Sequence, residues 1–365
     1  MKRIITFFLV IAMSLSLAAC QKYEPQESTK LEETRIASLV YGKETYHVNY
    51  ELFRAMLLSA KETVSDGDLS KFESEEGASF LEEARAVALD KIYEIYATLA
   101  LCDAMGIDLY SKKVNKKVEE SITISIEGGY AENGQYIVGL GSYEAYLENL
   151  KLFYANYAVQ DLLIRYSYGV SALGSYYRGT YDDYGNRAEE GAISYTDSQI
   201  TDFYNSEDTR RIFLVFTQKE KADAESLRDK IDAQAGEEMV SAYILGHTTA
   251  SEADAKDGLI IGAYTLDNNI YKDVTEAAFA LKIGETSPII PGLYDGYKGY
   301  FILYRADKSA ENLEEIRAGV TKNYIENEIG KRFAEAKHAL MESVSFTEFY
   351  STLVLSSISM SEEAE

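Results

Sequence analysis

Glu276-Ala-Ala-Phe-Ala-Leu-Lys-Ile-Gly-Glu-Thr-Ser-Pro288 is the stretch whose reading decides the fold. Val274 to Leu281 reads as a short helix that stops ahead of Ile283-Gly284, and Pro288-Ile-Ile-Pro291 reads as a strand beyond that turn. Gly299-Tyr-Phe-Ile-Leu-Tyr304 is a second strand, turned back at Asp295-Gly296. Upstream, Gly258-Leu-Ile-Ile-Gly-Ala-Tyr264 is a Gly-bounded strand, and Arg211-Ile-Phe-Leu-Val-Phe216 is the apolar run of a buried one. Between them, residues 219–235 form an amphipathic helix with Ala222, Leu227 and Ile231 facing inward.

Helical periodicity governs both flanks. Leu81, Ala84, Ala88, Ile92, Ile95, Leu99 and Cys102 recur at steps of three or four, one apolar face of a helix over 79–105. Cys102 on that stripe reads as a small buried hydrophobe. Residues 36–56 predict two short strands around Gly42-Lys43 and a helix start, and 111–126 a further helix. Ser142 to Arg165 reads as one helix, and the Gly- and Tyr-rich Ser167 to Gly191 as an irregular connection. Thr196-Asp-Ser-Gln199 fits a capping box. Leu313 to Val344 is helical again, and 346–355 predicts a last short helix. The fold class is therefore α+β: a helical lobe built from both ends of the chain (36–205 and 309–355) with an α/β domain of four strands inserted at 206–308.

At these residues the chain resembles a family. The segment order from Arg210 to Arg305 is similar to that of a parvulin-type peptidyl-prolyl isomerase domain, whose members carry an "AAFAL..GE.S.P" stretch like Glu276–Pro288. Gly258 to Tyr264 resembles their "G-x-hydrophobic-G-x-aromatic" strand. Val40-Tyr-Gly-Lys-Glu-Thr and Tyr195 to Tyr204 resemble stretches of the PrsA/SurA class of extracytoplasmic foldases, in which a helical lobe carries a parvulin domain. Isomerisation about X–Pro needs no covalent step, only better stabilisation of the twisted amide than of the planar one. The family does this with two hydrogen-bonded His on neighbouring strands, a Cys or Asp nearby, and a Met/Phe pocket for the proline ring. The resemblance puts the first His at Ile212 (or Arg211), the second at Phe301, the Met near Asn269 or Ile270, the Phe at Val274, and the Cys/Asp position near Ser251 or Glu252. The resemblance also places Tyr264 and Phe279 among the positions of the peptide pocket. Only His47, His247 and His338 occur in the chain, and none falls on those strands. His247 reads as a solvated group among Glu252, Asp254 and Asp257. The implied domain thus keeps its scaffold without its catalytic constellation, with Ile212 and Phe301 expected to pack on each other. No catalytic residue is assigned.

The first twenty residues set the expected location. Lys2-Arg3, an apolar run from Ile4 to Met13 and the small residues up to Ala19 have the layout of a secretory signal too short to span a bilayer. Leu17-Ala-Ala-Cys20 resembles the lipobox of bacterial lipoproteins, which implies a lipid on Cys20 and a polar tether over 20–35. Without residues 1–19 the chain carries 34 basic and 60 acidic residues, a net −26. Such an excess excludes nucleic acid as a partner. Asp66 opens like a calcium loop, but Lys71 and Gly77 occupy its sixth and twelfth positions. No metal or cofactor is expected. The 30 Tyr against no Trp read as compositional bias with helix packing. The expected function is a lipid-anchored extracytoplasmic chaperone for unfolded or partly folded exported chains. An isomerase with a non-His pocket and a solute-binding lipoprotein are the alternatives.

Overall fold

The computed structural model describes residues 34–355 and 358, without 66, 75, 132–133, 182–186, 248–257, 265–271 and 295–296. The signal and lipobox through Cys20, the tether up to residue 33, Asp66, Ser251, Glu252, Asn269, Ile270, the Asp295-Gly296 turn and the tail from residue 359 lie outside the described residues. The chain is α+β. It runs β1 (Arg35–Tyr41), β2 (Glu44–Asn49), α1 (Tyr50–Val64), a 3₁₀ turn (Leu69–Glu73), α2 (Gly77–Ala104), α3 (Lys112–Glu127), β3 (Gly129–Tyr130), β4 (Tyr136–Ile137), α4 (Tyr143–Lys151) and α5 (Tyr157–Arg178). Next come β5 (Gly179–Tyr181), β6 (Arg187–Glu190), α6 (Asp197–Asn205), β7 (Thr209–Thr217), α7 (Lys221–Asp232), α8 (Glu237–Leu245) and β8 (Leu259–Gly262). The chain closes with α9 (Lys272–Ala280), β9 (Ile290–Tyr294), β10 (Tyr297–Ala306), α10 (Ala310–Ser343), β11 (Ser345–Phe346) and α11 (Glu348–Thr352). No helix among the described residues is long and apolar enough to cross a membrane.

These elements form two compact units. One takes the chain up to Leu173 and again from Glu335; the other is Gly174–Ala334. The divisions fall inside α5 and α10, not at the loops near 205 and 308 where composition changes. A continuous apolar stripe gives no sign of where a long helix passes from one core to another.

In the first unit, β1 lies between β2 and β11 in an antiparallel sheet. Gly42 turns the β1–β2 hairpin with φ +62, a left-handed backbone that suits glycine. Phe346, expected to open the last helix, lies instead in the third strand with Ser345, and Thr347 then caps α11 with its hydroxyl. The helix expected from Ser142 to Arg165 is two helices. Leu152–Asn156 breaks it, with Tyr154 at φ +61, and no Gly or Pro marks that break. α5 in turn continues to Arg178, through much of the segment expected to be irregular. Its Gly169 is there for packing: a Cβ would sit 3.0 Å from Thr98 Cγ2 and 3.2 Å from Cys102 Sγ on α2. Cys102 is fully buried against that glycine and points its thiol at the Gly169 carbonyl. Burial, with Asp103 adjacent, pushes the thiol up to about 12, so it is an inert packing group.

The second unit is built on a four-stranded antiparallel sheet of order β8-β7-β10-β9. Residues alternate along its strands. Phe213, Val215 and Ile302 face α7 and α8 through Leu227, Ile231, Val240 and Ile244. On α7 the buried alanine is Ala224; Ala222, expected inward, is exposed. Arg211 is buried on the same face, paired with Glu237 at the start of α8 and donating to the Asp307 carbonyl at 3.1 Å. α6, opened by the expected Thr196–Gln199 capping box, packs with α10 on Ile260 of β8. Gly262 makes that approach possible, since a Cβ there would fall 2.4 Å from Asn327 Oδ1. The same oxygen accepts a bond from the Tyr264 backbone N–H at 2.8 Å.

A closed sheet face as the candidate functional site

The deciding stretch fixes one side of this sheet. α9 ends at Ala280, and Arg305 donates to the Leu281 carbonyl, a cation placed at a helix C-terminus. Gly284, at φ +84, turns the chain back beside β10, and its N–H reaches the Arg305 carbonyl at 2.8 Å. The Glu285 carbonyl accepts from Arg305 N–H at 3.0 Å. Ser287, fully buried, donates its hydroxyl to the Pro288 carbonyl at 2.7 Å and accepts from Leu303 N–H at 3.0 Å. The polar residues of Gly-Glu-Thr-Ser-Pro therefore stitch the approach to β9 onto β10, and the apolar residues of Val274–Leu281 are left facing the sheet.

What they face is hydrocarbon. Ile212, Leu214, Phe216, Ile261, Val274, Ala278, Leu281, Phe301 and Leu303 form one buried cluster, with Phe279, Leu259 and Ile290 packed at its edge. Ile212, Phe216, Val274 and Phe301 are 0% exposed. The resemblance's His positions, Ile212 and Phe301, thus share one core, but not as the direct neighbours expected. The register sets Ile212 opposite Arg305 and Phe301 opposite Phe216. Four ladder positions separate the pair, about 13 Å along the strand. Phe301 instead meets Phe216, with ring centroids 5.0 Å apart at 50°. Register is set by pairing across some eighty residues of chain, which no local pattern reports.

Two glycines complete the closure. Gly292 on β9 pairs directly with Gly299 on β10. A Cβ at Gly292 would lie 2.6 Å from Phe301 Cε2, and one at Gly299 2.7 Å from Phe216 Cζ. The two rings thus occupy the space that side chains would fill over this Gly–Gly pair. Phe216, Gly292 and Gly299 were not singled out from the sequence. The glycines flanking two apolar runs were the available signal, since glycine inside a strand marks a close approach.

Of the other expected pocket positions, Val274 and Phe279 join the cluster from α9. Arg210 covers Phe279 with its guanidinium 4.4 Å from the ring centroid. Burial, then the nearby Arg305, lowers the Arg210 pKa. Tyr264 does not belong: its side chain is 45% exposed, outside the cluster. His247 is exposed and stacked on Tyr243, its Nδ1 2.7 Å from the Tyr243 carbonyl. His47 lies on β2, its Nδ1 3.1 Å from Ser38 Oγ. Among the described residues, no group of three His, Cys, Asp or Glu could hold a metal ion. Among the described residues, the side chains clustered on this sheet face are hydrocarbon, and what they do there is fill space.

No protein-family model matches the chain, and no curated protein matches it. Solved structures of similar proteins include the foldase protein PrsA from Streptococcus pneumoniae str. Canada MDR_19A, at 15% identity over 71% of this chain and 88% of that one, with a TM-score of 0.28. PrsA from Bacillus subtilis has 15% identity over 71% and 84%, with a TM-score of 0.24. PrsA from Lactococcus lactis has 16% identity over 87% and 96%, also with a TM-score of 0.24.

Proposed function

We propose that the chain is an extracytoplasmic folding factor of the parvulin-type foldase class whose isomerase chemistry has been lost. The observation that carries this reading is the closed face: the positions that the sequence resemblance equates with the paired His are Ile212 and Phe301, both sealed in hydrocarbon with Phe216 and Val274. Replacing a buried polar pair by apolar residues removes hydrogen bonds that must otherwise be satisfied, so the scaffold persists. In this reading the helical lobe of 36–205 and 309–355 holds clients, and 206–308 is a scaffold or a second contact. The clients are unfolded or partly folded exported polypeptides.

The test pairs two assays on the chain from residue 21. Isomerisation of an X–Pro peptide should proceed at its uncatalysed rate, while aggregation of an unfolded client is suppressed at stoichiometric amounts. Tenfold acceleration, equivalent to about 1.4 kcal/mol of barrier, would restore the isomerase reading. Failure to protect the client would remove the folding-factor reading. A thermal shift with a small solute would favour a solute-binding lipoprotein.

Anchoring belongs to the same proposal and rests on Leu17-Ala-Ala-Cys20. Two acyl chains hold a protein at a bilayer where one does not. Changing Cys20→Ala should move the protein from the membrane to the soluble fraction; unchanged membrane retention would rule out a lipid on Cys20.

A further inference from the structure

Three half-buried cations gather in the second unit where β7 begins and β10 ends: Arg210, Arg305 and Lys308. The register sets Arg305 opposite Ile212, so Arg210, two positions away, is its diagonal neighbour on the α9 face. Diagonal neighbours come within reach of each other when their side chains are long. Lys308 and Arg210 meet at one oxygen: both donate to the Thr209 carbonyl, Lys308 Nζ at 3.3 Å and Arg210 Nη1 at 2.9 Å. Lys308 Nζ also donates to the Ser206 carbonyl at 2.7 Å and the Thr209 hydroxyl at 3.1 Å, and Arg210 Nη1 to the Glu207 carbonyl at 2.8 Å. Arg305 donates to the Leu281 carbonyl. All these acceptors are neutral. Among the described residues, no carboxylate pairs with any of the three cations, and the neighbouring Glu207, Asp208 and Asp307 are exposed. Arg210 Nε is buried with no hydrogen-bond partner.

Like charges so placed disfavour one another. The Lys308 pKa is lowered by burial and then by Arg210, as that of Arg210 is by burial and then by Arg305. An anion among them relieves that repulsion, and the planar fork of a guanidinium matches a carboxylate. We propose that this corner binds a carboxylate carried by a polypeptide, held by Arg210 and Arg305 with Lys308 beside them. Apolar neighbours favour a polypeptide over a free acid. Phe279 lies against the Arg210 guanidinium, and Ile283, 57% exposed, is in the turn that Arg305 fastens to β10. The inference rests on the folding-factor reading. It gives 206–308 a client contact of its own, for apolar segments that carry an acidic residue.

The probe is a capped, fluorescein-labelled peptide of alanine and leucine with a single glutamate, set against its glutamine version and read by polarisation on the chain from residue 21. The glutamate peptide should bind about tenfold more tightly, as charge-assisted hydrogen bonds allow. The net −26 of that chain repels an acidic peptide at long range, so the preference reports a local site. Arg210→Met keeps an apolar stem against Phe279 and removes the fork. It should bring the two peptides to within about twofold while keeping a folded baseline in thermal melting, and Arg210→Lys should recover only part of the preference. One measurement needs no variant: the unlabelled glutamate peptide should raise the melting temperature of the unit and the glutamine version should not. Equal binding of the two peptides, equal effects on melting, or a glutamate preference that survives in both Arg210→Met and Arg305→Met would overturn the proposal. So would free glutarate competing as strongly as the unlabelled glutamate peptide, since the site would then serve a small acid. Client protection decides the folding-factor reading separately, because this test turns only on the ratio between two peptides.

Discussion

Replacing Phe301 by alanine lowers the stability of the second unit by about 3–5 kcal/mol, the range for removing a buried aromatic ring. The size follows from where the ring sits. Phe301 is fully buried, its ring tilted against that of Phe216, in the same cluster as Val274 and Ala278 of α9. Its loss leaves a cavity in the cluster on the α9 side of the sheet, whose other face is also packed, so neighbouring elements have little room to collapse. Phe301→Leu keeps most of the volume and should cost less than about 1.5 kcal/mol. Phe301→His at neutral pH places a polar ring where the cluster offers it only hydrocarbon, so it should destabilise more than leucine. Thermal melting followed by circular dichroism, scored on the transition of this unit, is the measurement. A loss under 1 kcal/mol for alanine would mean the face is open, and the lost-chemistry reading would fail with it.

That result bears on function because a catalytic face and a structural one respond oppositely. A pocket that binds a proline ring must stay accessible, and its residues are held at some cost in stability. Here Ile212, Val274 and Phe301 are among the most buried residues of the unit, so mutation there is read first as unfolding. The chemistry that the scaffold once supported, on this reading, has been exchanged for core.

Local signals made much of this legible in advance. The Thr196–Gln199 capping box, the buried strand at 211–216 and the helix before Gly284 all depend on residues within a few positions of one another. What was not legible was non-local. β11 exists because β1, some three hundred residues earlier, supplies its partner. Gly169 and Gly174 look like helix breakers, yet α5 runs through both, and Gly169 is needed for close approach to Cys102. Tyr154 breaks a helix with no breaker residue. At the candidate site the residue types were legible, and the hydrocarbon at 212, 274 and 301 follows from them. The partner of Phe301 was not, since a shift in register changes every neighbour without changing a letter of either strand.

Gly299→Ala tests that register directly, and it should be the more damaging of the two methyl additions at the Gly292–Gly299 pair. A Cβ on Gly299 would fall 2.3 Å from the Thr217 carbonyl oxygen as well as 2.7 Å from Phe216 Cζ. The ring can turn, but the carbonyl belongs to the β7–β10 ladder. Relief therefore requires strand movement, and the expected cost is about 3 kcal/mol, the upper end for overpacking. Gly292→Ala meets only the Phe301 ring, at 2.6 Å, so it should cost less and be coupled to that ring. In a double-mutant cycle, Gly292→Ala with Phe301→Leu should be less destabilising than the two changes summed, by at least 0.5 kcal/mol. Gly319→Ala is the counter-case: it lies in α10 with nothing within 4 Å of its Cβ, and it should stabilise by up to about 1 kcal/mol through helix propensity alone. Additivity at Gly292 and Phe301, or a mild effect at Gly299, would mean that Phe216 and Phe301 do not lie over this glycine pair, and the closed face would have to be redrawn with a different strand register.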